Sequence, residues 1–111
     1  MKDGQGAIVE HITRVLDRLA KGSLMVLDAH FYRSRGMSFP QAMVVDPAGA
    51  YAEASRVLPE SMIAMMFKLV LKSLGFSIIE VEGAVEQLRR GDSSAFLSLV
   101  SRAAHGPGKG V

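Results

Sequence analysis

The chain contains no cysteine. That single absence removes disulfides, thiolate nucleophiles, iron–sulfur clusters and cysteine-ligated zinc from consideration. Long hydrophobic runs are missing too. The most apolar stretch, Met62–Leu71, spans ten residues and is broken by Lys68, whereas a bilayer span needs about 20. The opening MKDGQGAIVEH places acids where a secretory leader has a basic and then an apolar stretch. These features give the expectation of a soluble, cytoplasmic chain without membrane attachment. No Walker-type phosphate loop, G-x-G-x-x-G, G-x-S-x-G, H-E-x-x-H or calcium-loop pattern occurs, and there is no internal repeat.

Charge of one sign is also scarce. Thirteen basic and eleven acidic side chains leave a net charge of +2, although the pI is near 9.2. A surplus of two is a weak field for a phosphate polymer. The imbalance is local: Arg14, Arg18, Lys21, Arg33 and Arg35 face only Asp17 and Asp28 in residues 14–35, while Glu80, Glu82 and Glu86 form an acidic counterpart.

What remains is an apolar-rich chain of 111 residues, 49% hydrophobic, long enough for one domain and too hydrophobic for intrinsic disorder. Its periodicity is helical throughout, with no strand pattern. Ile8, Ile12, Val15, Leu16 and Leu19 share one stripe opposite Glu10, Arg14, Asp17, Arg18 and Lys21, and Gly22 with Ser23 reads as a stop followed by a cap. A second helix covers residues 24–35, with Leu24, Leu27 and Phe31 in one row and Met25, Ala29 and Tyr32 beside it; Gly36 ends it. Residues 37–46 are expected to form an ordered, partly extended connection, because Pro40 biases Phe39 away from helix and Val44-Val45 favours strand geometry.

Asp46-Pro47 is a strong helix start, and that third helix is expected to end near Leu58. The fourth, Pro59–Leu74, has only a thin polar stripe of Ser61, Lys68 and Lys72, and Gly75-Phe76 reads as a Schellman stop. Ser77 and Glu80 form a capping box opening a fifth helix, which Gly91 stops; Asp92 caps a sixth with Phe96, Leu99, Val100 and Ala103 buried. The expectation is an all-α compact bundle of five to six helices over residues 1–104, followed by a disordered tail at 105–111. The circumference of the fourth helix is apolar enough to predict either a methionine-filled core or a dimer contact through Met62, Met65, Met66 and Phe67.

Candidates for chemistry are few. His11, His30 and His105 lack helical metal spacing. Asp28 sits in the middle of a helix near His30, which makes the two the only acid–base candidates, with no second acid or nucleophile beside them. Lys68 and Lys72 lie one turn apart and read as a solubilising stripe. No catalytic, cofactor-binding or metal-ligating residue is assigned.

Residues 24–76 nevertheless carry a resemblance. The run LMVLDAHFYRSRGMSF, the Asp46-Pro47 start, and ESMIAMMFKLVLKSLGF match at Phe31, Tyr32, Gly36, Pro47, Ala54, Leu58, Leu71, Leu74 and Gly75. In these positions, about half the chain, the sequence resembles the archaeal nitrosopumilus output domain family. The resemblance implies an archaeal, cytoplasmic helical module serving output or interaction in signalling, with no catalytic residue to carry over. It departs at Pro59-Glu60-Ser61, where the family has a glycine-rich junction.

Two functional expectations follow. The first is a non-catalytic interaction module, homodimeric through the fourth helix and open to a protein partner. The alternative is a small nucleic-acid-binding regulator using Arg14, Arg18, Lys21, Arg33 and Arg35.

Overall fold

Seven α-helices make up the regular structure of residues 4–104, the part of the chain that this computed structural model describes. They are α1 (Gly4–Leu19), α2 (Lys21–Arg35), α3 (Phe39–Val45), α4 (Pro47–Ala54), α5 (Glu60–Ser73), α6 (Ile78–Arg89) and α7 (Ser94–Ala104). No strand occurs among the described residues. The expected tail at 105–111, with His105, lies outside them.

Most of the expected punctuation holds. The Asp46 side chain accepts from the Gly49 N–H at 3.2 Å, so the acid–proline start of α4 is a true cap. A Cβ at position 49 would lie 2.0 Å from Asp46 Oδ2, so a larger residue there would push the capping carboxylate aside. At the end of α5, Phe76 N–H donates to the Leu71 carbonyl and Gly75 N–H to that of Lys72. Gly75 has φ +96°, which completes the Schellman geometry. The Ser77–Glu80 capping box is formed in both directions.

Four local expectations are corrected. Residues 39–45 are helical rather than extended: Phe39 and Pro40 occupy the first turn, where proline's missing N–H costs nothing, and the Ser38 hydroxyl accepts from Gln41 N–H. The break between α1 and α2 falls at Ala20, so Gly22 and Ser23 lie inside the first turn of α2 rather than stopping one helix and capping the next. Helix α4 ends at Ala54 and passes to Pro59 by turns. Ser93, not Asp92, is the residue that immediately precedes α7. Asp92, one position earlier, accepts from the Ser94 N–H and hydroxyl, while Ser93 Oγ reaches across to accept from Ala48 N–H at the start of α4.

Helix α1 is the hub, packing on α2, α3, α5 and α7, while α6 closes the opposite side against α4, α5 and α7. Ile8, Ile12 and Leu16 are buried along α1. A chain of rings runs through the core from Phe31 to Phe39 (5.2 Å) and on to Phe67 (6.0 Å), which also meets Tyr51 (5.3 Å) and Phe96 (5.5 Å). Edge and tilted contacts of this kind add to simple burial. The radius of gyration, 13.0 Å, is that of a close-packed domain of about 100 residues.

Candidate functional site

The surface expected on the long apolar helix is not assembled as such. Met66 is 1% exposed and Phe67 is fully buried, because α5 is covered by α1, α4 and α6. Both are core side chains. Met62 is half-buried, and only Met65, at 53% exposure, faces out, beside Lys68, Leu69 and Lys72 in a shallow groove of about 450 Å³.

The five candidate cations are likewise divided. Arg35 is half-buried: its Nε donates to Glu53 Oε1 at 2.8 Å, its Nη1 to Asp46 Oδ2 at 3.1 Å, and its guanidinium stacks over Phe31. It is structural. Arg14, Arg18, Lys21 and Arg33 are exposed and form no ion pair among the described residues. Lys21 and Arg33 stand at opposite ends of α2, twelve residues and therefore about 18 Å apart. The five cations thus make no single patch.

The acid–base candidates are absorbed by structure. Asp28 Oδ1 accepts from the Phe39 backbone N–H at 2.8 Å, so this carboxylate from α2 caps α3. His30 Nε2 donates to Glu53 Oε2 at 2.7 Å, and the Ser34 hydroxyl donates to the same oxygen at 2.6 Å. Serine and histidine thus both point at the carboxylate instead of at each other, which is the wrong order for activating a nucleophile. Hydrogen bonds from Ser34, and then from Arg35 and His30, hold Glu53 down at about 2 against the opposing effect of burial. A carboxyl that stays ionised throughout the physiological range holds charge; it does not shuttle protons.

A second network joins α4, α5 and α6. The Tyr51 hydroxyl donates to Glu60, which also accepts from Arg89 Nε at 2.7 Å, and Arg89 donates to Glu86 at 2.6 Å. Burial, reinforced by Glu60, pushes the Tyr51 phenol up to about 12. His11 Nε2 meets Ser73 Oγ at 2.9 Å, tying α1 to α5. No cluster of three metal-ligating side chains exists among the described residues.

Once those networks are set aside, the distinctive surface is the solvent face of α2. The helix buries only Leu24, Leu27 and Phe31. Its opposite side presents Gly22, Met25, Val26, Ala29, Tyr32 and Arg33, all exposed, with Met25 at 63% and Tyr32 at 58%. Leu19, the last residue of α1, is also exposed. The sequence did carry a signal for it: Met25, Ala29 and Tyr32 recur at helical spacing on a row that the core stripe does not need.

A second open surface lies between α6 and α7. It is a depression of about 660 Å³ floored by Gly83, Ala84 and Ala95 and edged by Ile79, which is 81% exposed. Its rim charges are already satisfied, Arg102 pairing with Glu80 at 3.2 Å. Comparison with family models, with curated proteins and with solved structures finds no match for this chain.

Proposed function

We propose that this chain is a non-catalytic helical interaction module that docks a partner on the solvent face of α2. The observation that carries the reading is the set of exposed apolar side chains Met25, Val26 and Tyr32, beside the small Ala29, on a helix whose core stripe is already buried. Exposed apolar side chains gathered on one helix face mark contact sites, whereas singly scattered ones do not. The polar clusters around Glu53 and Glu60 join helices to one another, which fits a scaffold more closely than an active site. The resemblance of residues 24–76 to the archaeal output domain family bears in the same direction and rests on those residues alone. A cytoplasmic location belongs to the same proposal; no described helix is long and apolar enough to cross a membrane.

The test is site-specific photo-crosslinking in the native cells. A photoreactive residue at position 25 or 32 should give a discrete crosslinked species, and one at Ser98 on α7 should not. Equal labelling from all three positions, or none from α2, would sink the reading.

Homodimerisation is the second reading, favoured by the exposure of Met65 beside the half-buried Met62 and Leu69. Light scattering decides it. A native mass near twice 11.9 kDa that returns to 11.9 kDa in Met65→Glu supports a dimer through α5. A mass of 11.9 kDa for the unaltered chain removes it.

A further inference from the structure

We infer that the partner of the α2 face is an amphipathic helix whose apolar ridge carries an acidic side chain near each end; this rests on the reading of α2 as the docking surface. The argument starts from which charges in the molecule are already matched. Asp46, Glu53, Glu60, Glu80, Glu82 and Glu86 are held in ion pairs with the chain's own cations. Asp28 caps α3 and Asp92 is held by Ser94. Among the described residues the unmatched charge is therefore largely positive: Asp17 on α1 is an acid without an ion pair, against Arg14, Arg18, Lys21 and Arg33 on α1 and α2.

Their placement relative to the apolar face defines the occupant. Lys21 precedes the stripe and Arg33 follows it, about 18 Å apart along the axis. Between them, Gly22 and Ala29 leave low points among Met25, Val26 and Tyr32, where the side-chain ridge of a second helix can seat. A helix of three to four turns laid along α2 would bury its apolar ridge there. Acids about twelve residues apart would then sit over Lys21 and Arg33.

Other occupants fit less well. A second copy docking through the same face sets Lys21 and Arg33 against its own cations. Among the described acids it offers only Asp17, on α1 and off that face, without an ion pair or a capping bond. A duplex would have to strip water from Met25 and Val26 with phosphates instead of apolar atoms. For an anionic bilayer, cations should line the long edges of an apolar stripe. On α2 one edge is formed by Ser23, His30 and Ser34, and the unmatched cations stand at the two ends.

The experiment is an NMR titration of the full chain, with ¹⁵N amides and ¹³C methionine methyls. The probe is a synthetic 16-residue helical peptide with leucines at i, i+4 and i+7 and a glutamate at each end, twelve residues apart. A matching peptide with lysine ends, anionic phosphatidylglycerol vesicles and a 20-base-pair duplex serve as comparisons. The expected result is saturable shifts of the Met25 methyl and the amides of residues 19–33 with the glutamate peptide, and at least fivefold weaker binding of the lysine peptide. The double variant Lys21→Glu/Arg33→Glu, both sites exposed, should reverse that order while leaving amide shifts outside α2 unchanged. An unchanged order in the variant overturns the acidic-end assignment. Stronger α2 shifts from vesicles or duplex overturn the partner class and leave α2 docking intact. If no probe touches α2 and the crosslinks at 25 and 32 also fail, both proposals fall.

Discussion

The Asp28 carboxylate accepts the backbone N–H of Phe39 at 2.8 Å, joining the middle of α2 to the first residue of α3. A helix of seven residues has too few internal hydrogen bonds to stand alone. Here one of its orphan donors is satisfied from outside, and another by Ser38. Asp28→Ala is therefore expected to cost about 1–2 kcal/mol. Asp28→Asn keeps an accepting oxygen and should recover much of that loss. Urea denaturation at neutral pH reads both; equal losses for Ala and Asn would show that the bond to Phe39 is not the cause.

Glu53 gives the chain an acid-sensitive joint. In the folded state it stays ionised to about 2, against an ordinary value of 4.5, so between those values the unfolded chain binds the extra proton. The stabilisation it provides is complete above pH 4.5 and is lost as pH falls toward 2. Solvent at the rim of the cluster screens part of it, leaving about 2 kcal/mol. Glu53→Gln should lose about that amount at pH 7, and the gap from the unaltered chain should close between pH 4.5 and 2. A gap independent of pH would mean packing, and not charge, holds α2 to α4.

Met65 and Met66 are neighbours in sequence with opposite fates. Met66→Glu places a carboxylate among Phe67, Ile63 and the rest of the core, at a cost of several kcal/mol. It should abolish cooperative unfolding. Met65→Glu points into water and should keep the thermal midpoint within a few degrees. Circular dichroism melts of the two variants check this, and a folded Met66→Glu would refute the burial of that side chain.

Tyr51 packs on Phe67 and donates to Glu60, so its phenol should ionise late. In a Tyr32→Phe background, the absorbance change of tyrosinate is expected to have its midpoint at about 12. Tyr51→Phe retains the ring and loses one hydrogen bond, an expected cost of about 1 kcal/mol. A midpoint near 10 would mean that the hydroxyl is solvated.

Helix existence was legible wherever the signal sat within four or five residues. Asp46 with Gly49, Ser77 with Glu80, and Gly75 with Phe76 are local devices, and all three stand as read. Helix α3 was misread although part of its signal was local: Ser38 and Gln41 have the spacing of a cap, and Pro40 suits a first turn. But Pro40 and Val44-Val45 also favour extended backbone, and the second cap, Asp28, lies eleven residues upstream. Counting helices from local signals therefore fell short. On α5, periodicity could not separate core from surface: a helix that is apolar nearly all round shows no preferred side until its neighbours are placed. The α2 face was legible as a row, though not as a surface. Leu24, Leu27 and Phe31 are the more apolar row and are the one covered, by α1 and α3; that the row of Met25, Ala29 and Tyr32 stays uncovered by any other helix is settled only by the packing.

The hub position of α1 has a consequence for the order of events at the ribosome. Its apolar stripe is shared among α3, α5 and α7, yet α1 is translated before all of them. The stretch from Ala20 to Ser93 must be translated before α7 begins to emerge, roughly 4–15 s at about 5–20 residues per second. Throughout that interval Ile8, Ile12 and Leu16 lack their last partner. The nascent chain thus displays a greasy helix for far longer than helix formation itself takes, and a holdase that recognises such segments would find its target at the start of this domain.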